Sequence, residues 1–280
     1  MPSYDVAGPS FRNLPEYLKS KNYKLPEDLD LAKNGPFQAA HKTKDPVYAL
    51  MSQNPLLIDS FNNHMTAYRA GKPSWLDKGF YPVVDRLVEG FDAGEQGHSD
   101  VFLVDVGGGK GHDLRELREK YGQFIPGRLV LQDRPGVIPD SNRNGNRRSM
   151  NRDDGKGGGN CFEAMPHDFF MPQPVKGART YYLHSILHNW SDADCTKILE
   201  QLKPAMVPGY SRLLVNEVVV PRRNPSWLAT AMDQLMFVLA GVQERTERHW
   251  TELLGQAGFR ITKIYSYELG QESLIEAELA

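Results

Sequence analysis

The chain is poor in cysteine and has no excess of positive charge. Its two cysteines, Cys161 and Cys195, are too few for a disulfide framework, so we expect free thiols in a reducing, cytoplasmic environment. Lys and Arg number 33 against 35 Asp and Glu, which gives a formal net charge of -2. A nucleic-acid-binding protein usually carries a strongly basic surface, so no nucleic-acid partner is expected.

Long apolar runs are also lacking. The longest, over residues 235–240, is far shorter than the roughly 20 residues that span a bilayer. The first residues show no basic region followed by an apolar stretch, so neither a signal peptide nor a membrane partner is expected.

The first hundred residues carry helical patterns and no strand pattern. Leu57, Phe61, Met65 and Tyr68 recur at helical spacing, and Gly71 follows them as a stop signal. We therefore divide the chain into a helical segment over residues 1–95, which we expect to cover a substrate site, and an α/β domain over residues 96–280.

From residue 101 onward, short β-branched apolar runs alternate with helical patterns. Such alternation predicts a doubly wound, mostly parallel sheet of the Rossmann-like type. The last two runs are separated by Leu269 and Gly270 and predict an antiparallel C-terminal hairpin. The predicted strands cover residues 101–106, 128–132, 180–183, 212–217, 260–267 and 273–279.

Residues 139–160 do not fit this alternation. They are rich in Gly, Asn and Arg and contain Met150 as their one sizeable apolar residue. A segment of this composition buries too little apolar surface to offset its ordering entropy. We expect it to be mobile, at a place where the predicted fold would have a crossover helix.

A glycine cluster directly follows the first predicted strand. Asp105 precedes Gly107, Gly109 and Gly111, and a helical pattern comes next. Glycine is needed where a chain turns tightly and a ligand approaches its backbone. Asp133 ends the second strand, where an acid is placed to accept hydrogen bonds from ribose hydroxyls. The cluster does not match the dinucleotide pattern G-x-G-x-x-G, but it predicts a nucleoside-containing ligand.

Two histidines, His184 and His188, lie near the end of the third strand and before a helix capped by Ser191. Open α/β sheets bind their ligands at this edge. A spacing of four could serve a metal ion on a helix, but the segment is not helical by pattern and no third ligand completes a site. We therefore expect no metal here.

The glycine cluster resembles motif I of the methyltransferases that use S-adenosylmethionine. The run from His188 to Asp192, the pair Asn216-Glu217 and the run from Glu244 to Glu247 further resemble the plant and fungal O-methyltransferases of the caffeic acid and sterigmatocystin type. The resemblance implies that His188 is the general base and that Glu217 and Glu244 flank it.

The resemblance also implies S-adenosylmethionine as the cofactor, bound by the domain over residues 96–280. Its implied cofactor contacts are Asp105, Gly107, Gly109, Gly111, Asp133, Asp168, Phe169 and His184. Five apolar residues are candidates for an aromatic substrate pocket, although a plain core role is equally open for each. They are Phe61, Met65, Trp75, Met232 and Met236.

The leading interpretation is an O-methyltransferase of secondary metabolism that acts on a phenolic or polyketide-like small molecule, by His-assisted deprotonation and in-line methyl transfer. Two alternatives stay open. One is a cofactor-binding protein of the same fold with a non-methylating activity, such as a pericyclase or cyclase. The other is a non-catalytic partner of a full-length homologue.

The sequence departs from the family in two further respects. Asn189 stands where the family more often has Asp after the base. The family carries about a hundred additional N-terminal residues that form a dimerisation domain, and the sequence given begins where that domain ends. We therefore expect a monomer or weak self-association, or a partner that replaces the domain, rather than the family's intertwined dimer.

Overall fold

The central strand β1, Val101–Val106, is buried at all six positions. A strand with both faces covered takes a continuous apolar run instead of an alternating pattern, and the sequence has such a run there except at Asp105. The structure, a computed structural model, describes residues 3–24, 31–68, 71–135, 137–138, 162–267 and 271–280. The segment predicted to be mobile, residues 139–160, and the hairpin turn at Leu269-Gly270 lie outside the described residues.

The sheet places the carboxyl ends of its parallel strands at one edge. Its order is β3-β2-β1-β4-β5-β8-β7, with β6 paired to β5. Strands β1 to β5 run parallel, and β8 lies antiparallel to both β5 and β7. This confirms the predicted sheet and its C-terminal hairpin. The other strands are β2, Arg128–Asp133; β3, Glu163–Pro166; β4, Thr180–His184; β5, Arg212–Val220; β6, Arg245–Thr246; β7, Phe259–Ser266; and β8, Glu272–Leu279.

Two of these strands are missing from the sequence-based prediction. Strand β3 has four residues and ends in Pro166, and it lies at the end of the described strand order, paired with β2. Proline lacks a backbone N–H and is tolerated at such an edge. Strand β6 has two residues. Neither is long enough to show a hydrophobic period.

Helices cover both faces of the sheet, and side chains cap three of them as local sequence dictates. Ser191, Ser226 and Thr246 each accept a hydrogen bond from a backbone N–H three residues later. The helices in this part of the chain are α6, His112–Tyr121; α7, Asp192–Leu202; α8, Trp227–Ala240; and α9, Glu247–Gln256.

In the described part of the chain, the residues before the sheet form helices and no strand, as the helical patterns predict. A small buried cluster joins Val6, just before the first α-helix, to Phe37, Val47 and Met51, and Leu239 of α8 packs against it. The division of the chain at residue 95 stays a prediction. These helices are α1, Gly8–Ser20; α2, Leu31–Asn34; α3, Pro36–His41; α4, Val47–Ser52; and α5, Pro55–Tyr68. Within the described ranges, none of the helices is long and apolar enough to cross a membrane.

One fully buried carboxylate, Glu276 in β8, ties the sheet to residues before it. It pairs with Arg86 and lies 3.5 Å from the Nε of Arg212. Glu276→Gln should lower the free energy of unfolding by about 1.5–3 kcal/mol, because charged hydrogen bonds are lost inside the protein. Glu163→Gln removes one partner of an exposed pair with Arg128 and should cost less than about 1 kcal/mol. Urea denaturation measures the free energy of unfolding of both variants. Equal losses would contradict the stabilising role of buried Glu276.

Candidate active site

The loop between β1 and α6 needs glycine at three positions. Gly107, Gly109 and Gly111 have φ of +79°, +59° and +75°, a region that side chains with a Cβ rarely adopt. An added Cβ at Gly107 would lie 2.6 Å from the side chain of Ile186, whereas one at Gly109 would meet none of the described atoms within 4 Å. The loop therefore packs against the turn after β4 on one side, and among the described residues it borders open space at Gly109, the candidate cofactor cleft.

Asp133, at the end of β2, lies against this loop. Its Oδ2 accepts a hydrogen bond of 2.8 Å from the Gly109 N–H, and its Oδ1 accepts one of 2.7 Å from the Arg134 N–H. An ionised carboxylate has about four acceptor sites, so Asp133 keeps capacity for hydroxyl donors. The structure thus brings the predicted ribose acid and the glycine loop together.

Asp105 supports the loop from beneath. It is fully buried, and a Cβ added to Gly108 would lie 2.2 Å from its Oδ2. The backbone of the loop therefore rests directly on this carboxylate. A contact between Asp105 and the cationic end of the cofactor stays a prediction.

The His184 ring lies between two carboxylates. Its Nδ1 is 2.9 Å from Asp113 and its Nε2 is 3.3 Å from Glu272. Burial by itself lowers the pKa of His184, but the two acids outweigh burial and raise it to about 10. Both ring nitrogens therefore face a carboxylate, and the ring links Asp113 to Glu272. A direct contact with the cofactor through the side chain stays a prediction.

Asp168 and Phe169 follow β3 at the same edge of the sheet. The Oδ1 of Asp168 accepts a hydrogen bond from the backbone N–H of Phe170. The Phe169 ring lies edge-on to Trp190, with ring centroids 5.9 Å apart, and 3.7 Å from the position a Cβ on Gly107 would take. Phe169 therefore lies between the glycine loop and the turn that carries His188.

His188 lies in a short 3₁₀ turn, Leu187–Asn189, and is oriented by Glu244. Its Nδ1 is 2.9 Å from Oε1 of Glu244, a carboxylate that is 4% exposed. Asp233 in α8 in turn accepts a hydrogen bond from the Glu244 backbone N–H. A carboxylate on Nδ1 favours the tautomer that carries its proton there, and this leaves the Nε2 lone pair free to take a proton.

Glu217 acts on the backbone of the same turn rather than on the ring. Its Oε1 accepts hydrogen bonds from the N–H groups of Ile186, Leu187 and His188, at 3.0, 2.8 and 3.4 Å. Its Oε2 is 3.9 Å from Nδ1 of His188, which is beyond a hydrogen bond. Both glutamates thus lie near the ring, and of the two it is Glu244 that bonds to the imidazole.

Arg245, which the sequence analysis left without a role, fixes the other end of the turn. Its buried guanidinium donates to the carbonyl oxygens of Leu187 and Trp190 and to the carboxylate of Asp192. Its position directly after Glu244 is the sequence signal that could have identified it. Glu244 therefore bonds to the His188 ring, and the adjacent Arg245 bonds to the backbone of the same turn.

The structure describes the side chains of four of the five predicted pocket residues. Met236 is buried in α8, and Met232 and Phe61 are half-buried. Trp75 is 3% exposed and packs against Tyr81 and Tyr182 in the core, and it also lines a small cavity beside Asn216. A contact with substrate stays a prediction for each of them. The side chain of Met65 lies outside what the structure describes.

Comparison with known proteins gives consistent matches. Residues 85–260 match the family described as an O-methyltransferase domain. The chain is 47% identical to the O-methyltransferase mpaG of Penicillium brevicompactum over 277 residues, which cover 99% of this chain and 65% of that protein. The chain therefore spans about two thirds of the length of this curated relative.

Two solved structures share the fold and are 30% identical in sequence to this chain. LepI in complex with SAM superposes with a TM-score of 0.82 at 30% identity, covering 100% of this chain and 66% of that one. A structure described as a pericyclic reaction enzyme superposes with a TM-score of 0.83, also at 30% identity and with the same coverage. Each matched chain is longer than this one.

The two carboxylates near His188 predict a raised pKa for its ring. Burial by itself lowers the pKa of His188, but Glu217 and Glu244 outweigh it and raise the pKa above the ordinary 6.5. NMR titration of histidine should therefore give a His188 pKa above 6.5. Glu244→Gln should lower this pKa because it removes the charge nearest the ring. A wild-type value below 6.5, or one unmoved by Glu244→Gln, would contradict the geometry.

Proposed function

Because the chain belongs to the O-methyltransferase family, we propose that it transfers a methyl group from S-adenosylmethionine to a phenolic or polyketide-like small molecule. One observation carries the proposal: a single turn joins the base to the glycine loop. The side chain of Ile186 packs against Gly107, and two residues later Glu244 holds His188 by its Nδ1. A base and a nucleoside-binding loop are thereby adjacent.

The residues of the cleft fit S-adenosylmethionine. The open space beside Gly109 leaves room for a ligand against the loop backbone, and the Asp133 carboxylate beside it suits ribose hydroxyls. Asp168 and Phe169 lie two and three residues after the end of β3, and His184 ends β4, along the same edge of the sheet. When bound, the cofactor supplies an electrophilic methyl group that a deprotonated oxygen accepts.

The chain's own part of the reaction is proton removal. A phenol has a pKa near 10, as tyrosine does, so it is mostly protonated at neutral pH. The Nε2 of His188 takes that proton, and the buried Glu244 carboxylate stabilises the resulting imidazolium. Glu217 and Arg245 hold the turn backbone meanwhile, so that the ring keeps its direction while its charge changes.

The pericyclic reaction enzyme at 30% identity supports a second candidate, a cofactor-binding protein that rearranges its substrate without methylating it. The two candidates differ in product. Formation of S-adenosylhomocysteine with probe phenols such as caffeic acid, catechol and orsellinic acid supports transfer. Substrate isomerisation with the cofactor left intact supports the second candidate.

The proposal includes a cytoplasmic location and a chain that is monomeric or associates weakly. Light scattering over a concentration series tests the assembly. A dimer that persists at nanomolar concentration would contradict it.

Cofactor binding is tested with two glycine variants that are matched in backbone conformation. The wild-type chain should bind S-adenosylhomocysteine, and its melting temperature should rise accordingly. Gly109→Val should abolish binding because its side chain fills the cleft. Gly209 has a similar φ of +75° and also no atom within 4 Å of an added Cβ, so Gly209→Val imposes comparable backbone strain and should leave binding intact.

Isothermal calorimetry measures these affinities, and circular dichroism checks that both variants fold. No binding heat from the wild-type chain at millimolar S-adenosylhomocysteine would reject the proposal. Equal losses in the two variants would reject the assignment of the cleft.

The base is tested by His188→Ala. This change should lower the rate of methyl transfer by about 10²–10⁴-fold, the usual contribution of general base catalysis, while affinity for S-adenosylhomocysteine changes little. His98 stacks on Tyr210 at a separate place, so His98→Ala serves as the control. Turnover near the wild-type rate in His188→Ala would show that another group takes the proton.

A further inference from the structure

A hydrogen bond links the N-terminal helices to the turn that carries His188. Tyr48 in α4 donates its hydroxyl hydrogen to Oδ1 of Asn189 at 2.7 Å, across 141 residues of sequence. The Tyr48 ring is held edge-on to Phe61, with ring centroids 5.7 Å apart. The bond therefore joins an element far away in sequence to the residue that directly follows the base.

Asn189 also forms hydrogen bonds with the start of the turn. Its Nδ2 donates to the carbonyl oxygens of Ser185 at 2.9 Å and Ile186 at 3.4 Å. Ser185 has a φ of +51°, a left-handed conformation that costs energy in a residue other than glycine. Its backbone N–H donates to the carbonyl of Asn216. The Asn189 amide thus holds a strained residue three positions before His188.

This double contact requires an amide at position 189. The side chain of Asn both accepts and donates hydrogen bonds, whereas an ionised Asp only accepts. An aspartate could still accept the Tyr48 hydroxyl, but its second oxygen would face the Ser185 carbonyl. Asn189, in place of the more usual Asp, can therefore bond to both the Tyr48 hydroxyl and the Ser185 carbonyl.

We propose that Tyr48 is a positioning residue, which acts through Asn189 to hold the turn from Ser185 to Asn189 in the shape that presents His188 to Glu244. The role of the turn in catalysis rests on the proposed function, but its shape is measurable without turnover. Burial raises the pKa of Tyr48 to about 12, so the hydroxyl keeps its proton across the range in which His188 is titrated.

Tyr48→Phe removes the hydroxyl and leaves the ring in place. Tyr17→Phe is the matched control, because the Tyr17 hydroxyl donates to the carbonyl of Asn34 within the same helical region and does not contact the turn. In the 280-residue chain without ligand, we measure amide exchange over residues 185–190 and the NMR titration of His188. Tyr48→Phe should speed exchange about 3- to 10-fold, the loss expected for one hydrogen bond.

The titration separates positioning from simple loss of stability. In Tyr48→Phe the pKa of His188 should fall, because a looser turn weakens its contact with Glu244. In Asn189→Asp exchange should also quicken, but the pKa should rise because a carboxylate is added nearby. Tyr17→Phe should change neither quantity. Opposite pKa shifts with a common increase in exchange would support the proposal.

Unchanged exchange and titration in Tyr48→Phe would overturn the proposal. So would a loss of protection in Tyr48→Phe that is spread over the whole chain and not concentrated in residues 185–190. If Tyr48→Phe does not fold, Asn189→Asp decides alone, and unchanged exchange over residues 185–190 would overturn it. If these shifts are seen but the chain never forms S-adenosylhomocysteine, the positioning role of Tyr48 stands and methyl transfer is rejected.

Discussion

The geometry of the site depends on the Glu217 carboxylate, which accepts hydrogen bonds from three consecutive backbone N–H groups at the end of β4. The parallel register pairs His184 with Asn216, and this brings the next residue of β5 beside the turn that leaves β4. A buried carboxylate loses its hydration, and burial accordingly raises the pKa of Glu217. Three aligned donors offset part of that cost and confine the backbone to one path. The direction of the His188 ring follows from that path.

The turn is held at several points of different chemistry. Arg245 bonds to its carbonyl groups, Ile186 packs against the glycine loop, and Glu244 bonds to the His188 ring. Because these contacts and those of Glu217 come from the loop after β1, from β5 and from the segment before α9, no one of them orients the base alone. A base whose ring nitrogen is fixed in this way needs little reorganisation when it takes a proton, which is the condition for efficient proton transfer next to a bound ligand.

Much of the fold is predictable because its signals are local. The apolar run of β1, the Ser191 cap of α7 and the terminal hairpin each depend on residues close together in sequence. The partners within the site are not local. Sequence motifs place Glu217 and Glu244 near the base, but which of them meets the ring depends on the register of β5 and on Asp233. The burial of Trp75 beneath Tyr182 and the contact between Tyr48 and Asn189 likewise arise from packing between distant segments.

The central claim is that Glu244 fixes the His188 tautomer with its proton on Nδ1 and its lone pair on Nε2. Nitrogen-15 NMR of the histidine-labelled chain, recorded above the pKa of His188, tests this most directly. The account predicts a protonated Nδ1 and an unprotonated Nε2, and it predicts that Glu244→Gln weakens this preference. A neutral ring that carries its proton on Nε2 in the wild-type chain would contradict the account, because the lone pair would then be on Nδ1, which faces Glu244, and Nε2 could not accept the substrate proton.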